Sequence, residues 1–150
     1  SGGEVYVSYR VVLMKFIYLL MLSLVFSCAK IAHKQKLLQG NWDLNVVRIE
    51  DGEGFMFYDS SAIGNLTFEP TKLSGIAKYR YSYFGQYDVI DSVQFEQTSV
   101  SLSADGRYIQ IARPTDTLQA KIIMLTKKQL TFEYYDFLQY RLKRFSLTKQ

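Results

Sequence analysis

The chain has one cysteine, one histidine, one tryptophan and two prolines among its 150 residues. With Cys28 alone there is no intrachain disulfide, and an unpaired cysteine in an exported protein calls for another explanation. With His33 alone, a zinc site of several His and Cys ligands is excluded. A nucleophile–histidine pair would have to use this one residue, and it stands in the polar, basic stretch Ala29–Lys36, where a solvated side chain is the natural reading. No glycine loop of phosphate-binding pattern is present. The net charge of +4 is spread along the chain, without the clustered basic stripe of a nucleic-acid binder. Asp51-Gly52-Glu53 lacks the spacing of a full calcium loop and reads as a hairpin turn. Asp88 and Asp91 differ in strand parity, as do Glu133 and Asp136, so neither couple forms an acid–base pair within one strand. No cofactor, metal or catalytic residue is expected, and the chain reads as a non-enzyme.

What the chain does have is aromatic residues, 12 Tyr and 10 Phe. These pack well on pleated surfaces. From Trp42 onward apolar residues recur with period two. Trp42, Leu44 and Val46 share one parity; Leu66 and Phe68 follow, then Ala77, Tyr79, Tyr81 and Tyr83. Further stripes are Val93 and Phe95, Val100 and Leu102, Ile109 and Ile111, and Leu118 to Met124. Leu130, Phe132 and Tyr134 form the next, and Leu138, Tyr140, Leu142 and Arg144 the last. Asp51-Gly52-Glu53-Gly54, Pro70 and Ala104-Asp105-Gly106 punctuate them. No helical period is sustained after residue 40. The expected fold is all-β: a single antiparallel up-and-down barrel of 8–10 strands, because closure removes exposed strand edges.

The N-terminal segment is of a different kind. Lys15 precedes an uncharged run from Phe16 to Ser27, about a dozen residues, which suits the core of a secretion signal and is short for a span of roughly 20. Val25-Phe26-Ser27-Cys28 resembles a lipobox, the site at which bacterial lipoproteins are cut before a diacylated cysteine. The resemblance implies a signal region over 1–27 with Met14 as the natural start, a lipidated tether over 28–36 and a domain over 37–150. Removal of 1–27 would leave 123 residues with 16 basic and 13 acidic side chains, a net charge of +3.

Leu37-Leu38-Gln39-Gly40-Asn41-Trp42 resembles the opening of lipocalin-like domains in small bacterial lipoproteins of the Bacteroidetes type, where a short helical turn leads into Gly-x-Trp on the first barrel strand. Gly64–Phe68, Ala104–Tyr108 and Leu125–Phe132 agree in order with that family over roughly residues 37–147. The resemblance implies that Gly40, Trp42 and a last-strand arginine close the barrel. Arg144, by its parity with Leu138, Tyr140 and Leu142, is the expected partner of Trp42, with the first and last strands, about 41–49 and 138–147, as neighbours.

Two functions remain open. One is the binding of a small, mostly apolar molecule in the barrel, walled by Tyr79, Tyr81, Tyr83, Phe95, Phe132 and Tyr134. The other is an interaction subunit of an envelope assembly, with a filled core and a protein partner on its surface. In either case the expected place is the outer membrane, held by the lipid anchor, on the periplasmic face rather than the cell surface.

Overall fold

The computed structural model describes residues 3–83 and 87–150, and within that range the side chains of 3–11, 23–28, 82, 83, 87 and 88 lie outside the description. A helix α1 (Gly3–Leu38) leads into nine strands: β1 (Gly40–Asp51), β2 (Met56–Asp59), β3 (Ile63–Phe68), β4 (Lys72–Tyr83), β5 (Tyr87–Leu102), β6 (Tyr108–Ala112), β7 (Thr117–Leu125), β8 (Gln129–Asp136) and β9 (Arg141–Lys149). All neighbours are antiparallel, and β1 pairs with β9 from Trp42↔Lys149 to Asp51↔Arg141, so the sheet closes. β2 and β3 pair with successive halves of the same edge of β1 and share one place in the wall. The result is an eight-position up-and-down barrel.

The kink between β2 and β3 is held by Asp59. Its carboxylate accepts hydrogen bonds from the Ser61 amide and hydroxyl and, at 2.5 Å, from the Arg80 amide on β4. Burial pushes the carboxyl upward, but these donors outweigh it and hold it below the ordinary range.

Two glycines let the wall turn sharply. Gly64 and Gly75, on paired strands, have φ of +146° and +128°, and a Cβ at either would overlap a cross-strand backbone carbonyl, that of Ile76 or Asn65. Only glycine meets both demands.

The core follows the sequence stripes on most strands. Trp42, Leu66, Phe68, Ala77, Tyr79, Ile109, Ile111, Ala120, Leu130, Phe132 and Tyr134 are buried. Three departures have local causes. A bulge between Leu44 and Val46 turns Val47 and Ile49 inward in place of Val46. A bulge after Ile122 turns Met124 out of the core, 39% exposed. The third changes the reading of the last strand. Residues Phe137–Tyr140 form a turn, with Tyr140 at φ +52°, so the stripe that began at Leu138 does not run into β9. Leu138 is 91% exposed, and the inward residues of β9 are Arg141, Lys143, Phe145 and Leu147. Arg144 therefore faces outward, where its guanidinium pairs with Glu133 at 2.6 Å. Lys143, on the parity expected to face solvent, is 2% exposed.

The cation over Trp42 is Lys149, its cross-strand neighbour, 5.0 Å from the ring centroid. Lys149 Nζ donates to the carbonyls of Leu37 and Gln39, and the indole Nε1 donates to the carbonyl of Leu38 at 2.7 Å. The orphan carbonyls at the end of α1 are thus satisfied by the barrel floor. The short helical turn expected at Leu37–Gln39 falls at the end of this long helix, which stops at Leu38, and residues 29–36 are helical. Lys34 donates to the Gly106 carbonyl and Gln35 to that of Pro70, tying the helix to two turns of the same end.

Candidate functional site

The opposite end, away from α1, carries the β1–β2, β6–β7 and β8–β9 turns, and here the wall is incomplete. β5 is 16 residues long, but its ladder with β6 covers only Val100–Leu102. β6 ends at Ala112, and its turn to β7 is closed by the Arg113 amide donating to the Asp116 carbonyl and by the Arg113–Asp116 ion pair. Among the described residues, strand pairing along Val89–Phe95 runs on the β4 side alone. A two-for-one bulge opposite Ser74, with Gln97 at φ +50°, bends β5 just below this stretch.

A cavity of about 320 Å³ opens in this seam. Val93, Phe95, Leu118 and Tyr134 supply its apolar lining, and Gln94, Thr98, Arg113 and Asp136 its polar points. Of the residues expected to wall a ligand, Phe95 and Tyr134 are here. Tyr79 and Phe132 belong to a packed aromatic group instead: the Phe145 ring lies 5.8 Å from Tyr79, edge on, and stacks at 5.4 Å on Phe132 and 5.7 Å on Tyr134. This group fills the barrel beside the cavity. Tyr81 lies under the guanidinium of Arg141, 4.4 Å from its ring centroid. The side chain of Tyr83 lies outside the described residues, as does that of Cys28.

The upper part of β5 leans across the mouth and is fastened there. Lys143 Nζ donates to Asp91 at 3.2 Å and to Asp136 at 2.8 Å, and the Tyr79 hydroxyl donates to Asp91 at 3.0 Å. Two carboxylates from separate strands thus share one buried ammonium. Burial pushes both carboxyls upward, but the charge and hydrogen bonds of Lys143 outweigh it and hold each below the ordinary carboxylate range; Tyr79 adds to this at Asp91, and the amides of Gln139 and Leu138 at Asp136. Burial pushes the phenols of Tyr79 and Tyr134 far upward, and the nearby carboxylates push the same way, so both stay protonated. The cluster holds one cation between two carboxylates across the mouth.

Lys143 and Asp91 escaped the sequence reading for a shared reason. Nothing local marks a lysine as buried, and the two stand 52 positions apart. Only closure of β9 against the leaning β5 brings them together.

No family model matches the chain, and no curated protein matches it. Among solved structures it is similar to a redesigned β-barrel, at 16% identity over 77% of this chain and 94% of the other, with a TM-score of 0.35. It is also similar to a de novo designed fluorescence-activating β-barrel, at 11% identity over 77% and 96%, with a TM-score of 0.42. The barrel architecture described above rests on the chain's own strand pairing.

Proposed function

We propose that this chain is a non-enzymatic binding protein of the cell envelope, a lipid-anchored, lipocalin-like barrel that takes a small, mostly apolar ligand at the seam beside β5. The seam cavity carries this reading. Its volume of about 320 Å³ falls at the small end of ligand sites, and its lining has the usual make-up of an apolar wall with a few polar points. The anchor rests on Lys15, the apolar run that follows it and Ser27-Cys28, and with it the outer-membrane location, periplasmic face.

The test is native mass spectrometry of the full chain purified from its host in mild detergent. The expected result is a bound small apolar molecule whose occupancy falls at least tenfold in Ala112→Trp, a change at an exposed position on the cavity rim. A ligand-free chain whose Val93 and Leu118 NMR signals are also unmoved by toluene would overturn the reading.

One observation favours the interaction subunit as a second reading. Phe55, before β2, and Met56, its first residue, together with Phe137, Leu138 and Tyr140 on the β8–β9 turn, are all at least half exposed, and the Asp51↔Arg141 pair sets the two ends side by side. Contiguous exposed apolar groups of this kind mark contact surfaces.

A further inference from the structure

The seam offers more than a cavity. Among the described residues, Val89–Phe95 pair with β4 on one side and with no strand on the other. Along such an edge every second residue presents its amide and carbonyl outward. Natural proteins blunt exposed edges with Lys, Pro or a covering loop. This stretch, Val-Ile-Asp-Ser-Val-Gln-Phe, contains neither Lys nor Pro. Its one charge, Asp91, is already engaged by Tyr79 and Lys143, and it also accepts from the Ser92 amide at 2.8 Å, a bond that an incoming strand would share or displace. Ile90 points outward and is 68% exposed.

We propose that the seam accepts an extended strand of a partner polypeptide, which pairs its backbone with β5 over Val89–Phe95 and seats an apolar side chain in the cavity. The inference rests on the reading of the cavity as a binding site and goes beyond it: the same apolar lining that would take a small ligand would take one side chain of a partner strand. A row of backbone donors and acceptors is matched by another backbone about 4.8 Å away, and a compact small molecule cannot match it along its length. The added strand's inward side chains alternate, as those of β5 do. One of them falls over Val93, Phe95, Leu118 and Tyr134. Its outward side chains lie beside Ile90. The Arg113–Asp116 turn bounds the slot below, and the one charge of Val89–Phe95, Asp91, is already engaged, so the fitting segment is short, β-branched or aromatic at alternate positions, and uncharged at its centre.

The experiment follows amide hydrogen exchange of the full chain in detergent. The probes are an eight-residue peptide of alternating Val and Thr with a Lys at each end, the same peptide methylated at every second backbone nitrogen in either phase, and toluene. The expected result is at least a tenfold slowing of exchange at alternate amides of Val89–Phe95 with the plain peptide. One methylated phase abolishes the slowing, and Ala112→Trp abolishes it as well. Equal binding of the plain peptide and both methylated forms overturns strand pairing while the cavity reading stands. Toluene shifts at Leu118 and Tyr134 with no peptide effect do the same. Silence from all probes overturns both readings. Protection of Val89–Phe95 that rises with protein concentration, without peptide, overturns the proposal in favour of a second copy on the same edge.

Discussion

Lys143 of β9 and Asp91 of β5 meet across the barrel mouth at 3.2 Å, with the lysine side chain 2% exposed. This contact ties the leaning half of β5 to the far wall, and Asp136 shares the same ammonium. Breaking a buried pair by removing one partner costs about 3–5 kcal/mol, because the remaining charge loses its compensation. Lys143→Met should therefore lower unfolding free energy by that amount in urea titration. Adding Asp91→Asn and Asp136→Asn to the same variant should restore most of it, since no buried charge is then left alone. A triple variant as unstable as the single one would show that Lys143 acts through packing rather than charge.

The same cluster sets a pH dependence. The folded-state values of Asp91, Asp136 and Asp59 all lie below the ordinary 3.8. Groups depressed on folding stabilise fully above their unfolded value, and that contribution is lost as pH falls through the folded value. Stability should be flat through the neutral range and fall below about pH 4. In Lys143→Met the fall should be shallower, because Asp91 and Asp136 lose their main reason for depressed values. Urea midpoints measured from pH 2 to 7 check both curves.

At the other end, Trp42 is 0% exposed and joined to α1 through its indole nitrogen. Trp42→Ala should destabilise by roughly 3–5 kcal/mol, as large aromatic truncations in cores do. Lys149→Met, which removes the donors to Leu37 and Gln39, should cost roughly 1–3 kcal/mol. Arg144→Ala, whose ion pair is partly exposed, should cost about 1 kcal/mol or less. A larger loss for Arg144 than for Lys149 would reverse the assignment of the barrel-closing cation.

Strand parity made the barrel legible, because one face of each strand must be apolar to fill it. Tyr79, Ile109, Ile111, Phe132 and Tyr134 are inside for that reason. Parity fails wherever the chain adds a residue. The bulge at Asn45 exchanged Val46 for Val47, and the turn through Tyr140 exchanged Arg144 for Lys143. Neither irregularity carries a glycine or proline to announce it. The seam was illegible for another reason. It arises from unequal lengths, a 16-residue β5 beside a five-residue β6, and the alternating pattern runs on through β5 whether or not a neighbour is there.

Gly75 gives a test of the wall's curvature. Its φ of +128° and the nearby Asn65 carbonyl both exclude a side chain. Backbone strain and overpacking each contribute roughly 1–3 kcal/mol, so Gly75→Ala should lose roughly 2–6 kcal/mol. Gly54, at φ +86° with open space around it, separates the two effects. Gly54→Ala carries the strain without the overlap and should lose about half as much or less. Thermal unfolding of the two variants decides between strain and crowding as the larger cause.

The last expectation concerns the N-terminal helix. From Val12 to Leu22 its large apolar side chains are between 46% and 73% exposed. Among the described residues no helix is long and apolar enough to cross a membrane. The proposed lipid anchor predicts that this run is removed by a signal peptidase. Cleavage before Cys28 would leave a cysteine amine and thiol at the head of the basic Lys30–Lys36 segment. Two or more acyl chains there anchor stably, each buried CH₂ adding roughly 0.8 kcal/mol. Mass spectrometry of the membrane fraction should find a chain that begins at Cys28 and carries diacylglycerol. Cys28→Ala should keep the apolar run attached and abolish the lipid mass. Protease treatment of intact cells should leave the wild-type domain uncut, in keeping with the periplasmic face. An intact wild-type chain with a free thiol at Cys28 would end the anchor reading, and rapid digestion on whole cells would move the domain to the surface.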